Sequence, residues 1–300
     1  MSTTPIYWGY RCSSAFIGGL VAFCITTSAV AKISVKDDLD RKVELPAPAQ
    51  RIVALAPFLT ELTYSAGAGD RLVGVSAYSD YPEEAKRLPQ VATAVTLSIE
   101  PLLALKPDLV LAWRDTMRRE DIARLEGFGI AVFVTQARTL EDVPRLLAHI
   151  GTLAGRDGLK PAGAFRARIA ALRAAHANLP RVTVFMEIWH RPLTTIAGTH
   201  WMNEALELCG GRNAFLDLPN VAPVVSWEEL YAREPRVIVG AGSAANAQEF
   251  RNNWSERSAL AAVREKRTVW LEPDTIQRPT LRLAEGVAQL CAGLDRVRQP

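Results

Sequence analysis

Cysteine, histidine and methionine are scarce, at four residues each in a chain of 300, which leaves little material for a metal cluster or a redox relay. His149, His176, His190 and His200 show no zinc spacing, although His200 and Glu204 would share a helix face with His190 close in sequence. An excess of one charge is also missing. The 35 Lys and Arg against 32 Asp and Glu leave a net charge of +3, without the basic stripe that nucleic-acid binding needs. Gly67-Ala68-Gly69 and Gly240-Ala241-Gly242 lack the third glycine of a dinucleotide fingerprint. No Walker lysine follows either, and no Gly-x-Ser-x-Gly elbow occurs. These absences weigh against a catalyst, a resident metal or a nucleic-acid partner. What is there, 49% hydrophobic and 22% charged residues, suits a globular chain long enough for two cores.

The first 31 residues carry one charge, Arg11, then an apolar stretch from Ala15 to Ile25 and an Ala29-Val30-Ala31 cleavage site. This is the pattern of a secretory signal peptide, which sends the mature chain to the periplasm; an uncleaved N-terminal anchor is the alternative. Bulky Phe23 before Cys24 argues against lipid attachment at that cysteine. Cleavage leaves Cys209 and Cys291, an even count in an exported chain, and predicts a disulfide between them, two buried thiols being the alternative.

The pattern Ser-x-Glu-x-Leu-x-Ala-x-x-Pro occurs twice, from Ser98 to Pro107 and from Ser226 to Pro235, each copy before an apolar run that reads as a strand. Each serine stands where a helix begins and its hydroxyl is expected to cap a backbone N–H, with Glu100 or Glu228 in the first turn. The repeat extends to Ile52–Leu55 and Val182–Phe185 as strands, each followed by a glutamate-bearing helix closed by glycines, Glu61 to Gly67 and Glu204 to Gly210. Further strands are expected at Leu72–Val75, Leu109–Ala112, Ala131–Val134, Val237–Val239 and Thr268–Leu271. The fold class is therefore α/β, with two Rossmann-like lobes of parallel sheet joined by a long connecting helix. The expected divisions are a signal peptide over 1–31, an N-terminal lobe over 32–140, linker helices over 141–178 and a C-terminal lobe over 179–300. One helical crossover predicts a small hinge amplitude.

Ligands of open α/β sheets bind beyond the carboxyl ends of the strands. Those positions hold Phe58, then Ser76 to Pro82 with Tyr78, then Trp113-Arg114 in the first half. In the second half they hold Ile188-Trp189-His190-Arg191 and Asp274 with Arg278. Two lobes lined in this way would enclose a wide apolar slot with polar groups at its rim, suited to a large flat ligand.

With those residues named, the chain resembles the periplasmic cobalamin-binding proteins of ABC importers, from about Arg51 to Val297. They lie within the helical-backbone class of substrate-binding proteins that also serves haem and ferric siderophores. The segments that carry the resemblance are Val73 to Pro82, Ala104 to Arg114 and Glu207 to Gly211. The resemblance implies a non-catalytic receptor that works as a monomer. It implies a corrinoid ligand as cargo, contacted by Phe58, Tyr78, Trp113, Asp274 and Arg278, and docking of Glu100 and Glu228 on arginines of the membrane permease. The chain departs from the pattern at Ala94 and Ala222, where well-known members carry tryptophans. Trp189 or Trp201 would then cover the ligand, and His190 would approach it. The alternatives are cobinamide, haem or a ferric siderophore as ligand, a sensor domain that binds ligand for a signalling partner, and an exported α/β enzyme using Asp274, Arg278 and His190.

Overall fold

The structure, a computed structural model, describes residues 32–93 and 95–299; the expected signal peptide lies outside them. An antiparallel hairpin of β1 (Ile33–Lys36) and β2 (Lys42–Leu45) precedes the first large sheet. That sheet contains β3 (Ile52–Ala54), β4 (Leu72–Ser76), β5 (Gln90–Ala92), β6 (Leu109–Trp113) and β7 (Ala131–Thr135), all parallel, in the order β5-β4-β3-β6-β7. The second contains β8 (Val182–Trp189), β10 (Gly211–Asn213), β11 (Val237–Ala241) and β12 (Thr268–Leu271) in the order β10-β8-β11-β12. The short β9 (Thr194–Thr195) pairs antiparallel with β8. The inner order β4-β3-β6-β7 of one sheet thus recurs as β10-β8-β11-β12 in the other, so the sequence repeat is also a repeat of topology. The strands β5, β9 and β10 were not foreseen. They are two or three residues long, too short for an apolar period to show.

The helices are α1 (Pro57–Ser65), α2 (Ile99–Ala104), α3 (Arg119–Gly127), α4 (Asp142–Ala154), α5 (Leu159–His176), α6 (Trp201–Leu208), α7 (Trp227–Arg233), α8 (Asn246–Ser255), α9 (Ala261–Arg264), α10 (Pro273–Ile276) and α11 (Leu283–Arg298). None among the described residues is long and apolar enough to cross a membrane. Helix α4 packs on α1 and β1, while α5 reaches from α4 to α6 and α11. Alternation along the strands feeds both faces of each sheet, because successive side chains point opposite ways. Ile52, Ala54, Leu109 and Leu111 join one core with Val184, Met186, Val237 and Val239. Val53, Val110 and Ala112 fill a second core with α2 and α3, and Phe185 and Ile238 fill a third with Phe215 and Trp254. Such double-sided burial is what parallel sheets require.

The two serines differ. Ser226 Oγ accepts the N–H of Glu229 at 3.1 Å and the Glu229 carboxylate accepts the N–H of Ser226 at 2.9 Å, a complete capping box. Ser98 sits at the N-cap of α2 but makes no side-chain cap bond, which corrects the expectation of a hydroxyl cap in both copies. The second copy has the acid three residues after its serine that closes the box; the first has Pro101 there.

Cys209, just after α6, and Cys291, inside α11, form a disulfide with Cα atoms 4.7 Å apart. It ties the two helices that flank the second sheet.

Candidate functional site

Beyond the carboxyl ends of the strands, Trp113 at the end of β6 and Trp189 at the end of β8 line one cavity of about 1060 Å³. This is just above the usual range for small-ligand pockets, about 300–1,000 Å³. His190, Trp201, Met202, Phe250 and Trp270 also line it, as does Ala222, and two glycines, one in β11 and one just after it, explain how so many rings fit. A Cβ on Gly240 would lie 2.5 Å from the Phe250 ring, and one on Gly242 2.6 Å from the Trp270 ring. This Gly-x-Gly pair therefore makes room for aromatics. The Trp270 indole N–H is buried with no hydrogen-bond partner among the described residues.

A smaller cavity of about 130 Å³ adjoins the large one, sharing Trp113, Ala137, Trp201 and Gln277 and adding Phe58 and Arg278. Phe58 packs edge-on against Trp113 at 5.8 Å between ring centroids, and Trp201 is anchored by its indole N–H donating to the Ile276 carbonyl at 3.0 Å. Tyr78 and Asp274 line neither cavity. Tyr78 is 78% exposed and its backbone is left-handed, φ 63°, a conformation that costs a non-glycine residue about 1–2 kcal/mol. Ala94 lies outside the described residues.

Arg278 is engaged chiefly by carboxylates. Its guanidinium donates to Glu61 at 3.0 Å and Asp80 at 2.8 Å, and lies 3.1 Å from Asp274. Arg282, stacked over the Tyr81 ring at 4.0 Å, donates twice to the same Glu61, which is 2% exposed. Burial works against ionisation of Asp80, but the Arg278 hydrogen bond and charge outweigh it and hold the carboxyl below its usual range. Glu61 and Asp80 belong to the first half of the chain and the arginines to the second, so the cluster clasps the halves together. The sequence shows Glu61 only as one of a repeated pair of helix glutamates. Its partner Glu204 also reaches out of its own lobe, accepting from Leu140 N–H at 2.7 Å and Arg173 at 3.0 Å.

The histidines divide. His200 is the N-cap of α6, accepting the Met202 N–H on Nδ1 at 3.2 Å, with its ring 3.8 Å from that of Trp201. Burial, helped by the charge of Arg138, pushes it down to about 4. No group of three His, Cys, Asp or Glu that could hold a metal ion occurs among the described residues. His190 instead stands beside Glu187, Trp227 and Trp254. Burial raises the Glu187 carboxyl above its ordinary value despite His190 and a 2.6 Å hydrogen bond from the Trp254 indole. Glu187, Trp254 and Trp227 escaped the sequence reading because they lie inside a strand and two helices, where they look like core.

The twin glutamates lie elsewhere, at the first turns of α2 and α7. Glu100 and Glu228 are exposed and make no hydrogen bond or ion pair among the described residues. An exposed valine precedes each, Val95 and Val224.

Two α/β halves around an aromatic cavity define a receptor for a diffusible solute, and the chain belongs to the periplasmic binding protein family, whose profile matches residues 52–275. In particular it is similar to the vitamin B12-binding protein of Vibrio cholerae, at 37% identity over 253 residues, covering 83% of this chain and 90% of that one. The vitamin B12-binding protein of Vibrio campbellii is 34% identical over 254 residues, covering 84% and 92%. Among solved structures, the periplasmic vitamin B12 binding protein BtuF of Vibrio cholerae matches with a TM-score of 0.77 and 36% identity over 84% of this chain and 99% of its own. The periplasmic haem-binding protein RhuT of Roseiflexus sp. RS-1 shares the fold, with a TM-score of 0.73 at 22% identity, over 84% of this chain and all of that one.

Proposed function

We propose that this protein captures cobalamin or a related corrinoid between its two lobes in the periplasm and delivers it, unaltered, to the permease of an ABC importer. The observation that carries the reading is the cavity of about 1060 Å³ walled by Trp113, Trp189, Trp201 and Trp270. A corrin is a broad apolar disc fringed by amides; indole faces cover such a disc while polar groups at the rim meet the amides. Kinship with vitamin B12-binding proteins at more than a third identity supports the same ligand. In this reading Phe58, Trp113 and Trp189 contact the disc and Arg278 meets it through the adjoining cavity. Tyr78 and Asp274 act at the rim, and Trp189 or Trp201 stands in for the aromatics missing at Ala94 and Ala222. The chain works as a monomer, docks through Glu100 and Glu228, and is exported by residues 1–31. Its lobes divide at 32–140 and 179–300, with linker helices over 141–178.

Calorimetric titration with cyanocobalamin tests the reading. One-to-one binding with a micromolar or tighter Kd is expected; no heat with cyanocobalamin beside tight binding of haem or a ferric siderophore would overturn it.

A further inference from the structure

In the cavity wall, Glu187 Oε2 receives the Trp254 indole N–H at 2.6 Å and lies 3.3 Å from Nδ1 of His190. A neutral imidazole that gives its Nδ1–H to this acceptor keeps a lone pair on Nε2. The ring is wedged edge-on between Trp227 and Trp254, with centroids 5.7 Å and 6.0 Å away. Trp227 is held in turn by the Arg257 guanidinium, 4.1 Å above it. Nε2 has no hydrogen-bond partner among the described residues, and His190 and Glu187 both line the cavity. Apolar walls do not require this arrangement. A histidine that gives one ring N–H to a carboxylate and offers its other nitrogen free is how proteins orient and strengthen an imidazole that binds a metal. Among the described residues no third ligand stands ready to complete a site for a free ion. The imidazole therefore suits a metal that brings its other ligands with it, as the centre of a planar macrocycle does.

We propose that His190 Nε2 coordinates the metal of the bound macrocycle at an exchangeable axial position, selecting corrinoids whose cobalt carries a labile water. This rests on the corrinoid reading above and names the form of ligand preferred. The step is a ligand substitution: the cobalt–water bond breaks, a cobalt–Nε2 bond forms and water leaves. No oxidation state changes, and with the imidazole in its neutral form the Nε2 lone pair makes the bond without release of a proton. Glu187 is a positioning residue, acting through His190.

The test compares aquacobalamin with cyanocobalamin, whose cobalt already carries cyanide and its nucleotide base, by calorimetry and visible absorption. On binding, aquacobalamin is expected to shift to the spectrum of imidazole-ligated cobalt, and cyanocobalamin to keep its own. His190→Ala and His190→Gln should abolish the shift and cut the preference for aquacobalamin over cyanocobalamin about tenfold. Glu187→Gln should keep a shift at reduced affinity. Binding of aquacobalamin with an unchanged spectrum, or a shift that survives both His190 variants, overturns the axial bond and leaves the corrinoid reading standing. Absence of binding by either corrinoid overturns both. Thermal melting checks that each variant folds, and His190→Gln, which retains a polar side chain, carries the comparison if His190→Ala does not.

Discussion

The Nδ1 atom of His200 accepts the backbone N–H of Met202 and so must stay unprotonated to cap α6. With the folded pKa pushed down to about 4 from 6.5, the unfolded chain holds a proton that the folded one refuses across that window. Stability is therefore fully present above about pH 6.5 and falls as the pH is lowered towards 4, by about 3 kcal/mol for a shift of this size. His200→Asn keeps a capping oxygen and removes the titration, so denaturant unfolding between pH 4 and pH 6.5 should show a flatter profile than wild type. An unchanged slope would place the acid sensitivity elsewhere. In the sequence a histidine four residues before Glu204 reads as sharing its helix face, and only the turn of chain before α6 shows it outside the helix, as a cap.

At the scale of elements, α2 and α7 are equivalent in topology and begin differently, one with a full capping box and one without. Their carboxylates at Glu100 and Glu228 are exposed in both. Glu229 closes the box and leaves Glu228 free. If the free carboxylates serve a permease, Glu100→Ala with Glu228→Ala should leave corrinoid affinity within about twofold while transport and complex formation fall at least tenfold, since surface charges act mainly in encounter and register. Loss of corrinoid binding by the double variant, read by calorimetry, would refute this division of labour. The repeat that marks α2 and α7 was legible because five residues recur at fixed offsets. The short edge strands β5 and β10 were not, because three residues carry no period.

Across the whole molecule, the two halves meet through α5 and through the cluster of Glu61 and Asp80 with Arg278 and Arg282. Glu61→Ala leaves Arg282 without its carboxylate partner and Arg278 with one fewer, and breaking a buried pair in this way costs about 3 kcal/mol. Denaturant unfolding should show that loss, and small-angle scattering should show lobe separation varying more in the variant than in wild type. A variant as stable and as rigid as wild type would deny the clasp any role. The sequence by itself determined the class of fold, the parallel sheets, the internal symmetry and the belt of aromatics after the strands, because each is written in local period and spacing. It also named Trp113 and Trp189, which stand at strand ends that any parallel sheet turns towards its crevice. Only the tertiary structure decided which polar groups are free. Arg278 is largely taken up by carboxylates about two hundred residues away in the sequence and on its own turn of chain, while His190 is oriented by a strand glutamate and a tryptophan from a distant helix. Charge pairing across lobes has no spacing rule, since it depends on where two separately folded sheets come to rest against each other.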